Sequence, residues 1–166
     1  YDVVFLLNRF FRAIGDAIQS EGGWIDKYMG DGLLAVFGRD TGAREGSRAA
    51  LAAAAKIDHA LDRLNAELEA EHHAPLAVGI GLHAGPLVIG RIGHPASAAV
   101  TVIGQVVNTA ARLEALTKDK ACQLIISREA ARLADWDGEG AIAENVAVRG
   151  LSRPVEVLFV KRARVV

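Results

Sequence analysis

A single cysteine, Cys122, stands among 166 residues. It can close no disulfide within the chain and cannot form a thiolate cluster. A disulfide scaffold and a cysteine-based zinc module are therefore excluded, and a reducing compartment is expected. There are only 4 prolines and no low-complexity tract, which argues against a disordered linker. An excess of one charge is also missing. Nineteen Lys and Arg against 20 Asp and Glu leave a net charge of −1, no footprint for a nucleic-acid backbone. Long apolar runs are absent: the alanine-rich stretch 49–55 falls far short of the roughly 20 residues a membrane span needs, and Arg48 and Lys56 flank it. Any membrane attachment is expected through segments outside this chain, and the domain itself is expected to be cytoplasmic. The rest is ordinary for one globular domain, 51% hydrophobic and 23% charged, long enough to bury a core. The chain opens on Tyr1 rather than Met, inside an apolar pattern, and is expected to be a piece of something longer.

Periodicity orders the chain into alternating elements. Val3, Leu7, Phe10, Ile14 and Ile18 recur every three to four residues, the stripe of an amphipathic helix over 1–20 that Glu21-Gly22-Gly23 ends. Residues 24–30 and 33–37 read as a hairpin. A long helix follows over 43–71, with Leu51, Ala54, Ile57, Leu61, Leu64 and Leu68 on its buried face. Strands are expected at 76–83, 87–89 and 98–103, a helix at 106–116 and a strand at 123–126. Ser127 should cap a short helix with Glu129 in its first turn. A final hairpin is expected from 145–149 and 155–160, bent at 150–154. Hairpins at both ends with interleaved helices predict an α+β fold on a largely antiparallel sheet.

Two stretches carry candidate chemistry. In Ile25-Asp26-Lys27-Tyr28-Met29-Gly30-Asp31-Gly32 a cation and a carboxylate stand four residues apart, and Asp31 lies between two glycines. Gly-Asp-Gly after a strand-like run is a tight-turn signal. A carboxylate at such a tip can hold a hard metal ion, and a lysine on the incoming strand can hydrogen-bond a ligand. In the second stretch, 101–114, a strand enters a turn at Gly104 and leaves as a helix. Asn108 and Arg112 are i and i+4 there and share a helix face. An amide beside a guanidinium suits a ribose and a charged phosphate. Taken alone, such a pair is more often a surface Asn and an Arg held by a nearby acid.

With these residues in view, IDKYMGDGLLAVFG (25–38), VGIGLHAG (78–85), TVIGQVVNTAARLE (101–114) and VRGLSRPVEV (148–157) resemble, in order and spacing, the class III nucleotidyl cyclase catalytic domain, the adenylate/guanylate cyclase family. The resemblance covers essentially the whole chain, one domain over 1–166. It implies a ferredoxin-like α+β fold, mainly an antiparallel sheet with flanking helices, with the N-terminal strand missing here. It implies that Asp31 is the second of two metal-binding aspartates, the first expected upstream of Tyr1, with two Mg²⁺ or Mn²⁺ ions per site. Lys27 and Thr101 match the pair that reads the purine, and Lys with Thr points to ATP. Asn108 matches the residue that orients the ribose, Arg112 the one that stabilises the pentavalent phosphate, and Arg149 a contact to the terminal phosphates. The implied reaction is conversion of ATP to 3′,5′-cyclic AMP and pyrophosphate at a homodimer interface. One subunit supplies the aspartates and its partner supplies Lys27, Thr101, Asn108 and Arg112.

The chain also departs from the family pattern. Neither Asp2, on the helix, nor Asp26, next to Lys27 with opposite strand parity, substitutes for the first aspartate. Low turnover is therefore expected of this chain as it stands. Gln105 stands where relatives often carry an acid, with no consequence to attach to it, and Gly79 where some carry a phosphate-binding Arg. The glycines of 79–85 are expected to serve strand packing and not a dinucleotide. His83 is expected to be a core or interface residue, His72-His73 a solvated helix end, and Cys122 an inert small hydrophobe. Three other readings stay open: a guanylate cyclase, a silent cyclase-like regulatory domain, and a dimerisation module. The Gly-Gly-Asp/Glu-Glu-Phe turn of diguanylate cyclases is absent.

Overall fold

The computed structural model describes residues 2–166. Helix α1 (Asp2–Ser20) buries Phe10, Ile14, Ala17 and Ile18 against α2 (Ala43–Ala70). Val3, expected on that stripe, is 67% exposed, and the cluster beneath the helix begins only at Leu6. Tyr1 lies outside the described residues. The helix ends where Glu21-Gly22-Gly23 predicts. The Gly23 amide donates to the Ile18 carbonyl at 3.0 Å and the Gly22 amide to Gln19 at 3.0 Å, the paired bonds of a Schellman end. All six stripe residues of α2 are buried.

Two strands follow α1, β1 (Trp24–Met29) and β2 (Gly32–Val36), and three lie beyond α2: β3 (Ile80–Leu82), β4 (Val88–Ile92) and β5 (Ala99–Ile103). Then come α3 (Gln105–Asp119), β6 (Leu124–Ser127), α4 (Arg128–Leu133), β7 (Ile142–Val146), β8 (Val155–Val160) and a 3₁₀ turn, Ala163–Val165. The strands form three hydrogen-bonded groups, β1-β2, β4-β5 and β3-β6-β8-β7. Among the described residues only the β3–β6 pairing is parallel, and the other four ladders are antiparallel. The α+β, mainly antiparallel expectation holds, with the strands divided among three hydrogen-bonded groups instead of one continuous sheet. Strand β6 is buried along its whole length and joins the cores under α2 and α3. Each large aliphatic there, such as Ile125 or Leu124, is worth about 1.5–3 kcal/mol of burial.

Strand boundaries differ from the sequence reading most at β3 and β7, while the strand expected at 87–89 runs on to Ile92. The strand expected at 76–83 shrinks to β3. The Asn65 side chain of α2 takes the Leu76 amide at 2.7 Å and donates to its carbonyl at 2.9 Å, so a side chain replaces a ladder partner. The last hairpin uses 142–146 as its first arm instead of 145–149. Residues after Val146 leave the ladder for a turn in which the Leu151 amide donates to the Val148 carbonyl at 3.0 Å. The Ser127 cap forms as predicted, its Oγ accepting from the Ala130 amide at 3.3 Å.

Candidate active site

The β1–β2 hairpin closes through two residues, Gly30 and Asp31, between the paired Met29 and Gly32. Of these two, only Gly30 has a positive φ, 62°, the arrangement a type II′ turn requires and glycine supplies. Asp31 is exposed at the tip, and no ion pair or hydrogen bond engages its carboxylate among the described residues. Its negative charge nevertheless reaches α3. Burial pushes the Glu114 carboxyl above its ordinary value, and Asp31 adds to that rise.

Lys27 and Thr101 do come together, through a residue that strand parity had set aside. The β1–β2 register slips between Ile25, opposite Ala35, and Lys27, opposite Leu34. Asp26 is the extra residue of a β-bulge, which suspends the alternation of faces. Its side chain is fully buried. The Thr101 hydroxyl on β5 donates to Asp26 Oδ2 at 2.8 Å, and Lys27 Nζ lies 3.2 Å from the same oxygen. Asp26 Oδ1 is buried with no partner. Two side chains separated by more than seventy residues in sequence are thus assembled around one carboxylate.

From β5 the chain turns at Gly104 into α3. Val106, Thr109, Leu113 and Thr117 form its buried stripe, which leaves Asn108 exposed and Arg112 half-buried on the flanking face. Among the described residues no carboxylate lies within ion-pair distance of Arg112, so the bland reading of an acid-paired surface arginine fails. Strand β3 fixes the depth at which α3 sits: a Cβ on Gly81 would overlap the Ala110 carbonyl and the Glu114 amide. The packing role expected for the 79–85 glycines is met there. Gln105 gains a role that its sequence did not show. Its side-chain amide donates to the Gly150 carbonyl and ties the turn carrying exposed Arg149 to the start of α3.

Other candidates resolve plainly. Burial pushes the His83 imidazole down and, secondarily, Glu129 pushes it up; the residue is half-buried, and its Nδ1 finds no partner among the described residues. Burial pushes the Cys122 thiol up, which keeps it unreactive. His72 and His73 are exposed at the end of α2. A groove between α1 and α2, lined by Arg12, His59 and Arg63, contains none of the residues of interest. In one chain these residues are split between the meeting of β1 and β5 (Lys27, Thr101), a hairpin tip (Asp31), a helix face (Asn108, Arg112) and the β7–β8 turn (Arg149).

The sequence pattern described as Adenylate and Guanylate cyclase catalytic domain matches residues 1–161. The chain belongs to this family. An adenylate cyclase of Anabaena cylindrica is 34% identical over 167 residues, covering 96% of this chain and 32% of its own length. An uncharacterised protein of Mycobacterium tuberculosis, Rv1320c, is 37% identical over 158 residues, 94% of this chain and 26% of its own. The chain therefore spans about a quarter to a third of these relatives. Among solved structures, the guanylyl cyclase Cya2 superposes with a TM-score of 0.84 at 30% identity, covering 95% of this chain and 79% of that one. The adenylyl cyclase CyaB from P. aeruginosa gives 0.83 at 27%, covering 96% and 82%. The fold is that of a nucleotidyl cyclase catalytic domain, shared by neighbours named for either purine.

Divalent metal is general in this family. Asp31 fits one ligand position, a hard, exposed, unengaged oxygen donor at a rigid turn. Among the described residues no group of three or more His, Cys, Asp or Glu side chains converges on a metal position, so Asp31 would hold an ion only together with oxygens from elsewhere. No described helix is long and apolar enough to cross a membrane.

Proposed function

We propose that this domain converts ATP to 3′,5′-cyclic AMP and pyrophosphate, with sites shared between two copies of the chain. The observation that carries the reading is the meeting of Lys27 with Thr101 at Asp26. A lysine donor beside a threonine acceptor matches the ring nitrogen and exocyclic amine of adenine. The 3′ oxygen of the ribose attacks the α-phosphorus. A P–O bond forms to that oxygen, the bond to the bridging β-phosphate oxygen breaks, and the 3′ hydroxyl proton is lost. Asn108 holds the ribose, and Arg112, free of carboxylates, neutralises charge as it builds on the α-phosphate. Arg149 contacts the terminal phosphates. Asp31 would hold Mg²⁺ or Mn²⁺, and such an ion, when bound, neutralises triphosphate charge; two per site are proposed.

A second copy of the chain is the proposed partner. The β4–β5 ribbon exposes Val88 (67% exposed), Ile92 and Ile103 on one side and Ile89 and Val100 on the other, apolar surface that a partner would cover. Pairing through this ribbon would bring Asp31 of one copy to Arg112 of the other, so that the hairpin serves two sites. The test is product formation from ATP and from GTP. Cyclic AMP formation should dominate, and Arg112→Ala should lower turnover about 10²- to 10³-fold with little change in ATP affinity. Dominant cyclic GMP formation, or an unchanged rate in the variant, would contradict the reading.

A further inference from the structure

A threonine hydroxyl is ambivalent. It carries one proton to donate and two lone pairs to accept with, and it rotates to suit its neighbour. Left free at a purine-reading position, it could accept from the adenine 6-amino group or donate to the guanine 6-oxo group with equal ease. Thr101 by itself would then choose nothing. The structure removes that freedom, because its hydroxyl faces Asp26 Oδ2 at 2.8 Å. An ionised carboxylate accepts only, so the Thr101 proton is committed to Asp26 and only lone pairs remain for a ligand. The same oxygen lies 3.2 Å from Lys27 Nζ, an ion pair that holds the ammonium beside the Thr101 hydroxyl. The Asp26 side chain is fully buried, so water does not compete for this geometry.

We infer that Asp26 is a positioning residue that sets the purine preference by fixing the polarity of Thr101 as a hydrogen-bond acceptor. The inference rests on Lys27 and Thr101 reading the base. Adenine offers an acceptor at N1 and donors on its 6-amino group, which meet Lys27 and Thr101 as complements. Guanine offers a donor at N1 and an acceptor at O6, and at both positions like would face like. A site whose polar groups are already committed rejects the mismatched edge because those groups are left unpaired. The bulge makes this possible: in regular alternation Asp26 would face away from Lys27, and it could not reach Thr101 from the same side.

The test is displacement of a fluorescent mant-ATP probe, with Mg²⁺ present, by ATP and GTP. The proteins compared are wild type, Asp26→Asn, Thr101→Val and the double variant. Asparagine keeps the shape of aspartate but can donate to Thr101, turning the hydroxyl proton toward the ligand. The ATP-to-GTP affinity ratio should fall about 10- to 100-fold in Asp26→Asn, in keeping with the loss of one or two matched polar contacts. Asp26→Asn should add nothing further once Thr101 is Val. A ratio changed by Thr101→Val but not by Asp26→Asn overturns the inference and leaves the base-reading assignment standing. A ratio unmoved by Thr101→Val removes the base-reading assignment, and the inference with it. The ratio does not depend on the fraction of folded protein. A wild-type measurement guards against a variant that cannot be prepared. Purine riboside triphosphate, which keeps the N1 acceptor and lacks any 6-substituent, should bind more tightly than inosine triphosphate, which offers an N1–H donor and a 6-oxo acceptor. The reverse order would overturn the inference.

Discussion

At the scale of single residues, two buried carboxylates do different work. Asp26 engages the candidate site. Asp58 of α2 holds the molecule together: its side chain is fully buried and accepts from Gln123 at 3.0 Å, from Arg162 Nε at 2.9 Å, and from Arg164. Burial pushes the Asp58 carboxyl up, but the bonds from Arg164, Arg162 and Gln123 outweigh it and hold the group well below the usual carboxylate range. A depressed folded-state value contributes stability that is complete above the unfolded value of about 3.9. That stability is lost as pH falls from there toward the folded value. Asp58→Asn should cost about 2–4 kcal/mol at pH 7, since it leaves arginines without their buried partner. Urea denaturation between pH 7 and pH 3 should show a wild type that weakens below about pH 4 and a variant with a shallower acid slope. Equal slopes would mean that Asp58 is not the group responsible.

At the scale of elements, the placing of α3 on β3 decides where Asn108 and Arg112 stand. Gly81→Ala would drive a methyl into the backbone of α3, and overpacking against backbone costs about 1–3 kcal/mol or more. A lowered melting temperature, with turnover reduced beyond what the loss of folded protein explains, is the expected outcome. An unperturbed variant would show that the helix has room to move. The helices were legible in sequence because their stripes are long and periodic; Leu51 through Leu68 needed only counting. The hairpin tip was legible because Gly30-Asp31-Gly32 is turn chemistry. The bulge at Asp26 was not, because nothing local in Ile25-Asp26-Lys27 marks an extra residue. The contact it makes possible is long-range, with a partner on β5 more than seventy positions away, and parity reasoning therefore assigned Asp26 to the wrong face. Gln105 was opaque for the same reason, since its partner is a carbonyl in the β7–β8 connection. The short β3 and the early β7 were misplaced where a side chain or a turn, not a ladder, satisfies the backbone.

At the scale of the whole molecule, the hairpin 24–36 carries both the lysine proposed to read the base and the carboxylate proposed to hold metal. Separate ladders keep the ribbon β4–β5 apart from the sheet under α2 and α3. Neither groove described, the one between α1 and α2 or the one beside Asn65 and Gln123, gathers these groups, so two copies are expected to complete each other. The most direct measurement of this is complementation in the full-length protein. Asp31→Ala and Arg112→Ala, each with turnover reduced about 10²-fold or more on its own, are mixed and allowed to exchange subunits. One site of each mixed dimer then carries both defects and the other carries neither. Cyclic AMP formation should recover toward one quarter of the wild-type rate, because half of the dimers are mixed and each has one intact site of two. A mixture that stays as slow as its separate components, despite demonstrated subunit exchange, would contradict the shared site.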